Sequence, residues 1–388
     1  MNTVGIVCEY NPLHLGHRKQ MALIRREFGE DSAIVCAMSG NFVQRGMPAL
    51  MDKTLRAQAA VRCGADLVLE LPVPQALSSA EGFAAGGVSL LTPVCDTLCF
   101  GTESADGNTL METARTLLSP AFSQALRAQL DKGLSFPAAR QVALEELPGS
   151  GDVLRQPNDI LAVEYCKAIL AQDAKMDIFP IHRQGSYHAQ TPDPENPSAT
   201  SLRQQILGNA PWKRYVPEAA AAVFENAPLH TLEAGERAIL AKLRTMSDAE
   251  FEALPFGSEG LWRKLMHACR REASLEDILQ ATKSKRYTRT RLDRMVMCAF
   301  LGITREQMEQ PAPYIRVLAF TDRGRKLLKE AKKQGIYLNA GEASQDPYWQ
   351  RECCWGDLYG LFRTDLPEAP GMEQRRRIFY LPDGEADT

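Results

Sequence analysis

Residues 3–17 read TVGIVCEYNPLHLGH. The run Thr3–Tyr10 is apolar and rich in β-formers, so it reads as a buried strand. Asn11-Pro12-Leu13-His14-Leu15-Gly16-His17 follows directly and opens a helix on which Met21, Ile24 and Phe28 repeat at helical spacing. His14 and His17 stand three apart and project from one face of the helix start. Gly16 removes a side chain where a ligand approaches backbone closely. Free N–H groups and the positive end of the helix dipole favour a phosphate there. Two imidazoles on one turn add donors that follow charge developing on a leaving phosphate group. The plain alternative is a structural turn carrying two surface histidines. A zinc pair is disfavoured, because no third ligand follows at a suitable spacing.

Further runs of the same kind lie at Ala33–Met38, Leu67–Leu71, Thr97–Gly101 and Met176–His182. Helical stretches fall between them: TLRAQAAVRC after the second, and Ser79–Leu91 despite its glycines. Strand–helix–strand order with short connections predicts an α/β, Rossmann-like parallel sheet with helices on its faces. Right-handed crossovers put the strands' C-terminal ends on one edge, where ligands bind. Residues 106–150 read as a helical insertion, and TPDPENPSAT (191–200) breaks the pattern. From about 217 to 310 the periodicity is helical, clearest at Leu292, Met295, Val296, Ala299 and Phe300. YIRVLAF (314–320) reads as one more strand, Gly324–Gln334 as a Lys-rich helix, and the end as a loose tail. The expected division is an α/β parallel-sheet domain over 1–210, a helical region over 211–310 and a small C-terminal α/β element over 311–388.

The 388 residues are 45% hydrophobic and 24% charged, with a formal net charge of −3. This is globular composition, which argues against a disordered chain or a coiled-coil rod. The slightly acidic balance excludes a globally basic nucleic-acid binder, though not a local basic patch. No apolar run reaches the roughly 18–20 residues of a membrane span, and the start lacks signal-peptide features. A cytoplasmic protein with no membrane partner is expected. The ten cysteines form no CxxC pair, and Cys8, Cys36 and Cys99 sit inside strands, so they read as small buried hydrophobes.

A second candidate anion element is Ser198-Ala199-Thr200-Ser201-Leu202-Arg203, opening a helix with Leu202 and Ile206 four apart. Hydroxyls at a helix start are ordinary caps. Capping does not account for Arg203, which points along the first turn toward an anion.

An HxGH box after the first strand resembles the nucleotidyltransferase superfamily, whose members bind ATP and attack its α-phosphate, releasing pyrophosphate. Seven stretches occur in order: EYNPLHLGH (9–17), MSGNFVQRG (38–46), GADLVLELP (64–72), FGTES (100–104), QPNDILAVEY (156–165), HRQGSYH (182–188) and SATSLR (198–203). Together they resemble the bacterial tRNA(Met) cytidine acetate ligase family. The resemblance implies activation of acetate by ATP to acetyl-adenylate, then transfer of the acetyl group to N4 of the wobble cytidine of elongator tRNA(Met). It implies ATP contacts along Val7, Cys8, Glu9, Tyr10, Asn11, Pro12, Leu13, His14, Leu15, Gly16, His17, Arg18, Lys19 and Gln20, and at Gly101, Asn158, Arg183, Ser201 and Arg203. The expected roles are phosphate binding by His14 and His17, with Arg203 and Arg183 neutralising charge. Gly101 is expected in a turn after its strand, with Asn158 on the ribose or base. Asn41, Gln44 and Arg45, after the second strand, are further candidates for substrate or tRNA contact. Asp52 and Glu70 are possible metal-side carboxylates, with a salt bridge the plainer reading of each. Mg²⁺ is expected from ATP chemistry, not from any ligand cluster.

The expected tRNA surface is KSKRYTRTRLDR (283–294), where Lys283, Lys285, Arg286, Arg289, Arg291 and Arg294 face a single acid, Asp293. Tyr287 within it offers a ring to stack on a base. Arg323–Lys333 is a weaker basic run. Two rival readings are a small-molecule adenylyltransferase and a non-catalytic RNA-binding protein retaining the fold. The first needs no extra 180 or so residues with a basic segment. The second needs neither histidine.

Overall fold

In the computed structural model, strand β1 (Thr3–Cys8) is buried along nearly its whole length, as its unbroken apolar run requires of a parallel strand covered on both faces. The structure describes all residues except 104–105, 135, 148–152, 155, 183–197, 285, 333–335, 338–343 and 383–388. Helix α1 (Leu15–Phe28) follows, then β2 (Ala33–Ser39), a short antiparallel hairpin of β3 (Phe42–Val43) and β4 (Met47–Pro48), α2 (Lys53–Arg62) and β5 (Leu67–Leu71). Strands β6 (Thr97–Thr102) and β7 (Asp177–His182) complete the N-terminal set. The sheet order across these is β5-β2-β1-β6-β7, all parallel. The chain reverses direction of travel between β1 and β6, so the crevice at their C-terminal ends is a topological switch point.

Three more strands come from the C-terminal segment: β8 (Ile315–Thr321), β9 (Ile336–Tyr337) and β10 (Phe379–Leu381). β8 lies antiparallel against β5, and β9 and β10 run parallel to β8. The sheet is therefore mixed, and its strand C-terminal ends do not all share one edge as the sequence alone suggests. YIRVLAF forms the strand expected of it, inside the main sheet.

One sheet face packs on helices Ala80–Leu91 and Pro157–Ala171 through Phe83, Val88, Leu98, Val163 and Ile169. The other face packs on α1 and α2 through Ile6, Met21, Ile24, Ala60 and Val68. A separate core joins the helices between Leu232 and Leu301 to helix Pro347–Tyr359. Nine of the ten cysteines are buried and all are unpaired with one another, as their apolar settings imply. Among the described residues no helix is long and apolar enough to cross a membrane.

Buried charges tie the C-terminal segment to the sheet. Lys53 bridges Glu70 and Glu373, each at 2.6 Å. Arg316 pairs with Glu373, and Arg376 with both Glu373 and Asp52. Three cations hold the Glu373 carboxyl far below the usual carboxylate range despite its burial. Asp52 caps α2 by accepting from the Thr54 N–H at 2.7 Å. Asp52 and Glu70 are thus ion-pair partners, the plainer of their two readings.

The hairpin between β2 and α2 touches the helical region at Gly46, which has φ +75°. A Cβ there would stand 2.4 Å from backbone atoms of Asp293 and Arg294. Gly46→Ala is expected to cost about 1–3 kcal/mol in backbone strain alone, read as a lowered midpoint in thermal unfolding.

Candidate active site

A cavity of ≈690 Å³ opens at the C-terminal ends of β1, β6 and β7. Its size suits a ligand of nucleotide dimensions, within the roughly 300–1,000 Å³ usual for such sites. The sequence after β1 builds one wall. His14 is the residue before the first turn of α1, in extended backbone at φ −140°. Its N–H donates to His17 Nδ1 at 3.2 Å, and the two imidazoles stack with centroids 3.7 Å apart. Gly16 has a local reason: a Cβ there would meet the His14 ring at 3.1 Å. The glycine makes room for the imidazole, a reason distinct from close approach of a ligand. His17 also packs on the Tyr10 ring, 4.8 Å away.

Arg203 arrives from the helix Ala199–Leu207, whose cap is Ser198 accepting from the Ser201 N–H at 3.1 Å. Its Nη1 donates to the Asn11 carbonyl at 2.8 Å and its Nη2 to Thr200 Oγ1 at 3.1 Å. Two elements 192 residues apart therefore meet on one hydrogen bond.

Of the expected nucleotide contacts, Val7, Cys8, Glu9, Tyr10, Asn11, His14, Gly16, His17, Lys19, Gln20, Gly101, Asn158 and Arg203 line the cavity. Pro12, Leu13, Leu15, Arg18 and Ser201 do not. Leu13 is fully buried in the core beneath α1, and Arg18 points to solvent. Ser201 is buried in its own helix cap, donating from Oγ to the Ser198 carbonyl at 2.9 Å. Arg183 lies outside the described residues. Gly101 sits within β6, opposite Ile181 of β7, rather than in a turn beyond it. Asn158 is not a helix cap, since Gln156 holds that position. Its Nδ2 donates to Glu103 Oε1 at 2.8 Å, and the adjacent Asp159 accepts from the Glu103 N–H at 2.7 Å. Gln44 and Arg45 of the hairpin line the cavity, whereas Asn41 is buried beside it, accepting from the Lys53 N–H.

Sequence reasoning missed the far wall. His182, Phe100 and Tyr165 line the cavity, and so do His230, Thr231, Leu232 and Glu233 from beyond residue 210. Thr231 caps helix Leu232–Thr245, so the sequence signal was a histidine beside a helix cap, too common to single out.

The basic run is less positive in three dimensions than in sequence. Arg289 binds Asp293 at 2.8 Å and Glu276 at 2.7 Å. Arg286 pairs with Glu259 at 3.1 Å, and Tyr287 donates to the same carboxylate at 3.1 Å. Arg291 lies over the Tyr287 ring and donates to the Phe256 carbonyl at 2.7 Å. Arg294 stacks on Phe256. Lys283 and Arg286 stay exposed, whereas Lys285 lies outside the described residues. Among the described residues no group of three or more His, Cys, Asp or Glu could hold a metal. A Mg²⁺ arriving with ATP would be held mainly by phosphate oxygens and water.

Comparison with known proteins identifies the family. Residues 1–369 match the family model described as HIGH Nucleotidyl Transferase. A Thermosipho melanesiensis protein named tRNA(Met) cytidine acetate ligase is 36% identical over 353 residues, covering 86% of this chain and 82% of the relative. One of the same name from Caldanaerobacter subterraneus subsp. tengcongensis is 37% identical over 356 residues, covering 86% and 87%. The crystal structure of Thermotoga maritima TmcAL in its apo form superposes with a TM-score of 0.91 at 28% identity, covering 98% of this chain and all of that one. The same protein bound with alpha-thio ATP gives 0.88 at 29% identity over the same shares. With both histidines, Arg203 and the switch-point crevice in place, the chain belongs to the HIGH nucleotidyl transferase family and, within it, to the tRNA(Met) cytidine acetate ligases.

Proposed function

We propose that this protein uses ATP to activate acetate as acetyl-adenylate and passes the acetyl group to N4 of the wobble cytidine of elongator tRNA(Met), giving N4-acetylcytidine. The observation that carries the reading is the convergence of His14, His17 and Arg203 on one cavity at the β1–β6 switch point, in a chain whose relatives bear that ligase name. In the first step an acetate oxygen attacks the α-phosphorus and pyrophosphate leaves. His14 and His17 donate to the phosphates as charge develops on the leaving group. Arg203, held against Asn11, adds a fixed cation. Asn158, steadied by Glu103, offers polar contact to the ribose or base.

The second step needs position more than chemistry. An acyl-adenylate is already activated, so the protein must chiefly bring an exocyclic amine against the carbonyl. The wobble base must leave its stack to enter the cavity. The test is purified protein with ATP, Mg²⁺, labelled acetate and unmodified elongator methionine tRNA, read by nucleoside mass spectrometry. Labelled N4-acetylcytidine at the wobble position, dependent on every component, is the expected result. No labelled nucleoside from folded protein would overturn the reading.

The tRNA surface follows from the exposed cations. Lys283→Ala with Arg286→Ala is expected to weaken tRNA binding. The slope of log affinity against log salt should fall by about two, with acetate-dependent ATP–pyrophosphate exchange unchanged. Arg289 is a poorer choice, because it is less exposed than Arg286 and is held by two carboxylates, Glu276 and Asp293, where Arg286 meets only Glu259. Unaltered tRNA affinity would place the RNA surface elsewhere.

A further inference from the structure

The helix Pro157–Ala171 starts at the cavity without a cap from its own side chains. Gln156 holds the cap position and makes no side-chain capping bond, and Pro157 has no N–H to offer. The first free donor of the helix is therefore the Asn158 N–H, and another element meets it. Glu103, the residue after β6, accepts it on Oε2 at 3.3 Å and accepts Asn158 Nδ2 on Oε1 at 2.8 Å. The clasp is reciprocal, since the Glu103 N–H donates to Oδ1 of the buried Asp159 at 2.7 Å. The helix dipole also favours a carboxylate at this end. Gly101 and Asn158 line the cavity, whereas Glu103 does not. Whatever Glu103 does for a ligand, it does through Asn158.

These contacts decide which way round the Asn158 amide lies. An ionised carboxylate accepts hydrogen bonds and donates none, so the end that Glu103 holds is the nitrogen. The carbonyl oxygen is left over, and among the described residues no donor reaches it. An amide without such a partner turns over freely and offers nitrogen and oxygen alike. We propose that Glu103 is a positioning residue of the nucleotide site: it fixes the Asn158 carboxamide with its oxygen toward the cavity, so that the site selects a nucleotide group that donates a hydrogen bond. The inference rests on the ATP half of the reading above. ATP carries two groups of this chemistry, the ribose hydroxyls and the 6-amine of adenine. Asn158 Oδ1 accepts from either, whereas a carbonyl in the place of the amine is repelled.

Glu103→Ala is expected to weaken ATP binding by calorimetry about tenfold, the worth of one oriented hydrogen bond. The kcat of acetate-dependent ATP–pyrophosphate exchange should stay within about threefold of the wild type, the pattern of lost uniform binding. Glu103→Gln keeps one oxygen for Asn158 Nδ2, so it should recover most of the affinity, and it serves as the second variant if alanine fails to fold. Unaltered ATP affinity in folded Glu103→Ala overturns the assignment. In an Asn158→Ala background, Glu103→Ala should still lower the thermal midpoint but take no more affinity, because its effect passes through the amide. An equal further loss of affinity there overturns the assignment too, since the carboxylate would then serve the helix alone. The donor is identified with 2′-deoxy-ATP, 3′-deoxy-ATP and inosine triphosphate. At least one of them should bind the wild type more weakly than ATP does, and that gap should shrink in Glu103→Ala. A deoxy analogue assigns the hydroxyl, and the inosine nucleotide assigns the amine. Gaps that all persist unchanged in Glu103→Ala overturn the orientation. A wild type that binds ATP but shows no acetate-dependent exchange would overturn the ligase reading alone, and the binding results would still decide the role of Glu103.

Discussion

His14→Ala and His17→Ala are each expected to slow acetyl-adenylate formation by about 100- to 1,000-fold, the usual loss when one donor to a developing charge is removed. Each ring faces the cavity and each holds the other, through the 3.7 Å stack and the His14 N–H to His17 Nδ1 bond. Removing either one therefore misplaces its neighbour as well. The double variant should lose scarcely more than the worse single one, since residues acting as a unit are strongly non-additive. The KM for ATP should move far less than kcat, because Asn158, Arg203 and the β6 residues Phe100 and Gly101 still line the cavity. Stability sets a boundary on the test. His14 is buried beside the helix start, so its loss lowers the unfolding midpoint somewhat, and only protein shown folded by circular dichroism counts. Wild-type exchange rates in both folded variants would remove the histidines from the mechanism.

How much of this was visible in the sequence depends on distance along the chain. The turn 11–17 was legible because everything it needs is local: a strand, a helix start and two imidazoles three residues apart. The same holds for the cap at Ser198, where four residues suffice. Other features need partners from far away. Ser201 has the residue type of a phosphate ligand, but the Ser198 cap turns its hydroxyl inward. Asn158 stands in the first turn of its helix, and its side chain is held by Glu103, 55 residues away. The basic run reads as strongly positive only because Glu259 and Glu276 lie outside it in sequence. β8 was recognisable as a strand from its composition. Its antiparallel seat against β5 was not, because the residues that meet there, Arg316 opposite Glu70 among them, come from distant parts of the chain. His230 was invisible for the same reason: it reaches the cavity wall only when Tyr359 and Leu50 are brought to it.

Arg56→Ala is expected to destabilise the fold by about 3–5 kcal/mol, since it opens a cavity and leaves buried carbonyls without a donor at about 1–3 kcal/mol each. Arg56 is fully buried on α2. Its Nε donates to the Met51 carbonyl at 2.9 Å, and its Nη1 to those of Glu9 at 2.6 Å and Ser39 at 3.1 Å. Its Nη2 donates to the Gly40 carbonyl. Three of these carbonyls lie where the chain leaves β1 and β2, at the start of the cavity, and the fourth, Met51, just precedes α2. Alanine leaves the four acceptors without their donor and opens a void. Arg56→Met fills much of the volume but supplies no donor, so it should still cost at least about 2 kcal/mol. The difference between the two variants measures packing, and the remainder measures the carbonyl clamp. The clamp also bears on function. Glu9, whose carbonyl Arg56 holds, accepts from the Gln44 N–H at 2.8 Å and so joins the hairpin to the end of β1. Without Arg56 these loops separate, and ATP affinity by calorimetry is expected to fall with stability in denaturant. An alanine variant that unfolds at the wild-type denaturant concentration with the same slope would mean that water replaces the guanidinium at no cost. For four acceptors converging on a fully buried guanidinium, that outcome runs against the desolvation they have already undergone.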